Sequence, residues 1–143
     1  MSQLENIAEE ISAMDEGQRG GMDFDFQPIP GDQEVMQVII EGREELPIFL
    51  AEADSQLLCI CYLFSEDEVQ ADKRSEMTDL MLDMNMPMPL SSFGKTEIGD
   101  GKHMYVVFGA LSLKSTAADV VLEVSTLSAN AIDAIEALSE YLA

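Results

Sequence analysis

Leu57-Leu58-Cys59-Ile60-Cys61-Tyr62-Leu63-Phe64 is the longest apolar run in the chain. A strand with one wet face alternates apolar and polar side chains, and this run does not alternate. It reads as a central strand covered on both sides, or covered by a partner. Cys59 and Cys61 stand two apart within it, so a strand puts both thiols on one face. A disulfide between them would buckle the strand, and a metal site would need two further soft ligands that the neighbouring sequence lacks. They read as small buried hydrophobes in a reducing compartment.

Working back from this run, Ala53-Asp54-Ser55 is a turn, and Leu46 to Ala51 is a strand with Pro47 near its start, where a missing N–H does least harm. Glu41-Gly42-Arg43-Glu44 is another turn, and Glu34 to Ile40 is a strand rich in Val and Ile. Pro28-Ile29-Pro30-Gly31-Asp32 turns the chain again. Phe24 and Phe26 alternate with Asp23, Asp25 and Gln27, which gives one apolar and one wet face. Ser2-Gln3-Leu4-Glu5 has the form of a capping box, and Leu4, Ile7, Ala8, Ile11 and Met14 follow at helical spacing. That helix stops before the glycines at 17, 20 and 21.

Working forward, Ser65-Glu66-Asp67-Glu68 is a second capping box. It predicts a helix continuing through Val69, Lys73, Met77, Leu80, Met81 and Met84, ended by Pro87 and Pro89. Thr96 to Ala110 predicts a hairpin with Gly99-Asp100-Gly101-Lys102 at its tip. Ser115 then caps a helical run carrying Val120 or Val121, Val124, Leu127, Ala131, Ile135, Leu138 and Leu142. A continuous helix from 116 to 142 would be ~40 Å long. Ser125, Thr126, Ser128 and Asn130 weaken its middle, so one long helix and two shorter ones both stay open. A strand over Val120 to Thr126 is a further alternative.

The order is helix, four strands, helix, two strands and a long or broken C-terminal helix. Short connections between strands require antiparallel pairing. The expected class is α+β: an antiparallel sheet of about six strands packed by an N-terminal, a middle and a C-terminal helix. The length of 143 residues predicts one domain, 1–143.

Lys and Arg total 7 against 28 Asp and Glu, a formal charge of −21. Nucleic acid and anionic lipid need Lys and Arg to displace counterions, so neither is an expected partner. Met1-Ser2-Gln3-Leu4-Glu5 lacks a basic, then apolar, leader pattern, and no apolar stretch approaches the ~18 residues of a spanning helix. The expected location is the cytoplasm.

Few parts for catalysis are present. The one histidine, His103, lies on a predicted strand beside Lys102 with no nucleophile elbow nearby. The carboxylates concentrate at helix starts and turns, where they cap and solubilise. Neither a calcium loop nor a phosphate-cradling glycine motif occurs. No catalytic residue, cofactor or metal ligand is therefore expected.

The chain holds ten methionines, against ~2–3 from average usage. Half lie between Met77 and Met88. Met84-Asn85-Met86-Pro87-Met88 has a spacing that thioether Cu(I) sites use, yet no Cys or His stands near it. Met77, Met81 and Met84 fit core filling. Pro87 and Pro89 hold Met86 and Met88 in an extended chain, where unbranched thioethers could form an adaptable contact surface.

Leu46-Pro47-Ile48-Phe49, the Leu57 to Phe64 run, Asn85-Met86-Pro87-Met88-Pro89-Leu90-Ser91-Ser92-Phe93 and Phe108-Gly109-Ala110-Leu111-Ser112 resemble the YjfI family of uncharacterised bacterial proteins. The likeness runs over nearly the whole chain, and Met-Pro-Leu-Ser-Ser-Phe is its most specific part. It implies a cytoplasmic bacterial protein, often encoded beside a coiled-coil envelope-stress protein of the phage-shock type, which that neighbourhood offers as a partner. It adds no catalytic residue. A weaker architectural likeness is to the type III secretion chaperones and YbjN-type regulators, which dimerise and hold partner segments without catalysis. Fold likeness alone carries no function.

The resulting expectation is a non-enzymatic protein-binding module, a chaperone-like or regulatory adaptor linked to envelope stress, with a homodimer as a further expectation. Its contact residues would be Met84, Met86, Met88, Leu90 and Phe93. The alternative is a small-ligand binder or enzyme with an acidic cleft, which requires a closed pocket of ~300 Å³ or more with convergent polar groups. A third option from charge alone, a mimic of DNA or an inhibitor of a basic protein, would need carboxylates aligned at phosphate-like spacing on one face.

Overall fold

The computed structural model describes residues 2–143. Helix α1 (Gln3–Ser12) starts at Ser2, whose Oγ accepts the Glu5 N–H at 3.1 Å. Its apolar stripe buries Leu4, Ile7 and Ile11. Strands β1 (Phe24–Ile29), β2 (Val35–Ile40), β3 (Ile48–Ala53) and β4 (Gln56–Ser65) follow as a meander. Helix α2 (Arg74–Asn85), the hairpin β5 (Ser92–Gly99) and β6 (Lys102–Ser112), and helix α3 (Ala117–Leu138) complete the chain. The sheet order is β1-β2-β3-β4-β6-β5, every pair antiparallel, so β4 is central as its apolar run requires. This is the α+β architecture expected from the sequence.

All three helices lie on one side of the sheet. Their apolar residues and the inward sheet residues form a single core that includes Met36, Val38, Ile48, Leu50, Cys59, Cys61 and Val107. Each fully buried aliphatic side chain of this kind stabilises by about 1.5–3 kcal/mol. Cys61 stands opposite Ile48 and Val107, and Cys59 opposite Leu50 and Gly109, so both thiols share the inner face. A bulge between Tyr62 and Phe64 shifts the register by one residue. It turns Phe64 inward, where its ring meets that of Tyr105 at 5.7 Å.

Two local expectations, the helix at Ser65 and the cap of the last helix, are corrected, and the open choice between one long C-terminal helix and two shorter ones is decided. The box at Ser65 closes, with Glu68 Oε1 accepting the Ser65 N–H at 2.9 Å, but it caps only one 3₁₀ turn, Glu66–Glu68. Val69 then runs extended to bridge Leu142, and Gln70 N–H donates to the Tyr141 carbonyl at 2.8 Å. These long-range bonds outcompete the local helix, which starts only at Arg74. The last helix is unbroken from Ala117 to Leu138, because burial of Val120, Val124, Leu127, Ala131 and Leu138 against the sheet overrides the weak propensity of its middle. Its cap is Thr116 rather than Ser115, with Thr116 Oγ1 accepting the Asp119 N–H at 3.1 Å.

The second cover over β4 is also missing. Leu58, Ile60 and Tyr62 point away from the helices and are only half-buried. Of the two readings of the apolar run, cover on both sides within the chain does not occur among the described residues.

Candidate functional site

The methionine-rich segment leaves α2 and crosses to β5. Asn85, the last residue of α2, accepts the Phe93 N–H on its Oδ1 at 2.7 Å, which ties the helix end to the start of β5. Between these points the chain is held against α3 by Asn130. Its Nδ2 donates to the Pro89 carbonyl at 2.9 Å and to Ser91 Oγ at 2.6 Å. Leu90, pinned between these two anchors, adopts φ 64°, a left-handed conformation that costs a non-glycine residue roughly 1–2 kcal/mol. The strain is sustained because Asn85 and Asn130 over-determine the turn.

The turn splits the five expected contact residues by depth. Met86 is 89% exposed and Leu90 54% exposed. Met84 and Met88 are half-buried and pack against the core. Phe93 is buried, facing the core beside Met81. Leu82, which the sequence did not single out, is 68% exposed on α2. A groove of about 190 Å³ lies on one side of the turn, lined by Thr78, Met81, Leu82, Asn85, Phe93 and Gly94. A second, of about 210 Å³, lies on the other side against α3, lined by Met84, Met88, Asn130, Asp133 and the two prolines Pro87 and Pro89. Met86 lines neither groove; it keeps the helical backbone of α2 at φ −62° and ψ −47°, which corrects the extended chain expected before Pro87, and its side chain stands in solvent.

Glu123 is the polar residue that sequence reasoning missed. It sits on the inner side of α3, 3% exposed, and its Oε1 has no hydrogen-bond partner. Burial raises its pKa above the ordinary carboxylate value. The carboxyl end reaches β6 at Gly109, where a Cβ would lie 1.8 Å from Oε1 and 3.3 Å from the Leu90 carbonyl. Gly109 therefore makes room for both the carboxyl group and the pinned turn. Two signals were legible: Glu123 lies three residues after Val120 and four before Leu127, on the apolar stripe, and Gly109 interrupts a strand where no turn needs it. On the sheet beneath, burial and then the charge of Glu123 push the Cys59 thiol up to about 12. Burial alone takes Cys61 to about 12.

His103 stands on β6 opposite Glu97, near the hairpin tip. The carboxylates Asp23, Asp25, Glu41 and Glu44 line a space of about 420 Å³ beside β1 and β2. That space is an open groove, and these four side chains belong to exposed residues. Within it a hydrogen bond from Asp23, then its charge, raises the pKa of Glu41, while the backbone N–H of Gly42 lowers that of Glu44. Glu66 and Lys95 pair at 2.6 Å across the other end of the sheet. The lysine holds the Glu66 carboxyl below its usual range, and Glu66 in turn raises Lys95.

Comparison with known proteins places these features in context. Residues 1–142 match a family model described as DUF2170, an uncharacterized protein conserved in bacteria. Two curated relatives, both named uncharacterized protein YjfI, come from Escherichia coli K12 and Escherichia coli O157:H7. Each is 42% identical over 66 residues, which is 46% of this chain and 49% of the relative. The match thus spans about half the length of these curated relatives. Among solved structures, E. coli YbjN, described as a candidate transcription regulator, superimposes with a TM-score of 0.65 at 13% identity, covering 97% of this chain and 91% of that one. An uncharacterized protein from Methanothermobacter thermautotrophicus gives a TM-score of 0.61 at 13% identity, covering 96% and 99%. At this identity the two structures establish a shared fold.

Proposed function

Since the chain belongs to the DUF2170 family of bacterial proteins, we propose that it is a non-enzymatic protein-binding module of one domain, a chaperone-like or regulatory adaptor working in the cytoplasm. The observation that carries this reading is the pinned turn, which holds Met86 and Leu90 out in solvent between two apolar-lined grooves. Ordering a contact surface in advance lowers the entropy lost on binding, and thioether side chains repack around varied partners. Met84 and Met88 form the sides of the site, and Phe93 forms its floor. The charge of −21 keeps such a surface soluble and steers it toward basic partners. Among the described residues no helix is long and apolar enough to cross a membrane, in keeping with this role. The regulatory description of YbjN points the same way.

The partner put forward is a coiled-coil envelope-stress protein of the phage-shock type, whose apolar helical seam suits a groove edged by methionine and leucine. The test is calorimetric titration of the full chain with that protein, beside the variants Met86→Glu and Leu90→Asp. Saturable binding that either variant weakens by about tenfold or more is expected, since each puts a charge into an apolar contact. Equal affinity for wild type and both variants would remove the turn from the function.

A further inference from the structure

The side of the sheet that the helices leave bare differs from the rest of the surface. Outward positions of β2, β3 and β4, of β5 from Ser92 to Thr96, and of β6 from Met104 to Ser112 carry no charged residue. This holds in a chain with 28 acids. The centre is apolar and ordered. Phe49 meets Tyr62 edge-on at 5.7 Å, and the Phe108 ring lies where a Cβ on Gly94 would sit, 2.8 Å from its Cε1. Val106 is only 4% exposed although it lies outside the helix-side core, so its neighbours on this face already cover it. Acids stand at the margins of this face instead, at Asp25 on the outermost strand β1, at Glu34 and Asp54 on one side and at Glu41, Glu44 and Asp67 on the other.

We infer that this face seats a second copy of the chain, sheet against sheet, so that two six-stranded sheets form a sandwich with all helices outside. Size and shape both point to that occupant. Five strands at ~4.8 Å spacing and about six residues at ~3.3 Å give a footprint of roughly 500 Å² before side-chain relief is counted, which approaches the ~800 Å² per partner of a standard interface. A single helix, ~10 Å across, would cover less than half of it. A matching flat sheet covers all of it at the usual separation of about 10 Å. Edge pairing is disfavoured: β1 carries Pro28 and Asp25, and β5 carries Lys95 and Glu97. A charge-free centre lets two chains of −21 meet, while their acidic rims repel. Association therefore tightens as salt screens those rims, the opposite of what a basic partner on the same face would show. Met86 lies on the helix side and is not part of this face, although Gly94 of β5 borders both the face and the groove beside α2; Met86→Glu and the Ile60 variants therefore test partner binding and self-association separately.

Sedimentation equilibrium of the full chain tests this from about 1 µM to about 100 µM, at about 0.05 M and about 0.5 M salt. The expected result is a species of twice the 15.7 kDa chain mass whose share rises with salt. Ile60→Asp, in the middle of the face, should weaken association by about tenfold or more. Ile60→Thr keeps the β-branched shape should the aspartate unfold the chain, and it should weaken association to a lesser degree with an unchanged circular dichroism spectrum. Met86→Glu should leave the mass alone. A folded wild type at 15.7 kDa throughout would overturn the inference. So would a dimer that loosens as salt rises, or one broken by Met86→Glu but not by the folded Ile60 variant.

Discussion

Replacing Gly109 by alanine probes the contact between α3 and the sheet. In the wild-type background a Cβ there would stand 1.8 Å from Glu123 Oε1 and 3.0 Å from its Cδ, well inside contact distance. The carboxyl end must swing aside, yet Glu123 is 3% exposed and has little free volume around it. Overpacking of this kind costs about 1–3 kcal/mol. Against it runs the gain of about 0.5–1 kcal/mol from replacing glycine with alanine inside a strand. The clash is the larger effect, so Gly109→Ala alone should lose about 1–2 kcal/mol net. With Glu123→Ala already present, the 1.8 Å contact is gone. Only the Leu90 carbonyl at 3.3 Å remains close, which a shift of a few tenths of an ångström relieves. In that background the same substitution should be neutral or stabilising by up to about 0.5 kcal/mol. The assay is urea unfolding of wild type, both single variants and the double variant, read as a double-mutant cycle. The expected coupling is about 2 kcal/mol, well above the ~0.5 kcal/mol within which independent sites add. Additive behaviour, or a Gly109→Ala chain as stable as wild type, would refute the packing argument.

Glu123 also has a pH signature. Its raised pKa means that the folded chain holds a proton the unfolded chain has released, so its contribution to stability is intact below the ordinary carboxylate value and is lost as pH climbs through the raised one. The urea midpoint of wild type minus that of Glu123→Gln should therefore fall between acidic and neutral pH; a flat difference would contradict it. Asn130→Ala removes two hydrogen bonds to the methionine-rich turn and should cost about 1–2 kcal/mol, with faster amide exchange confined to residues 86–91. Unchanged exchange there would show that the turn is held by other contacts. The thiols of Cys59 and Cys61, buried and pushed up to about 12, should resist iodoacetamide in the native chain and react once urea unfolds it. Fast native labelling would place at least one of them at the surface.

Much of the fold was legible residue by residue. The unbroken apolar run from Leu57 to Phe64 placed the central strand, and alternation at Phe24 and Phe26 placed a strand with one wet face, which the strand order puts at the edge. The Asp100-Gly101 pair marked the hairpin tip, with both residues at positive φ. These signals depend on neighbours in the chain, so sequence carries them. The role of Ser65 did not follow in the same way. Its capping box formed, but the helix it announced gave way to an extended Val69 bonded to the C-terminal residues. Local signals cannot weigh a hydrogen bond to a segment some seventy residues away.

The candidate site divides along the same line. The amino-acid sequence by itself determined the α+β class, the acidic coat and the methionine-rich segment that the prolines cut off from α2, because composition and periodicity act over a few residues. Only the tertiary structure decided which of those methionines face water, since that depends on Asn85 tying the helix end to Phe93 and on Asn130 reaching the turn from α3. It alone paired Glu123 with Gly109, and it alone left Leu58, Ile60 and Tyr62 without a helix above them. An apolar side chain reads the same in sequence whether its own chain covers it or not; burial is a property of what stands opposite, and three-dimensional packing sets that.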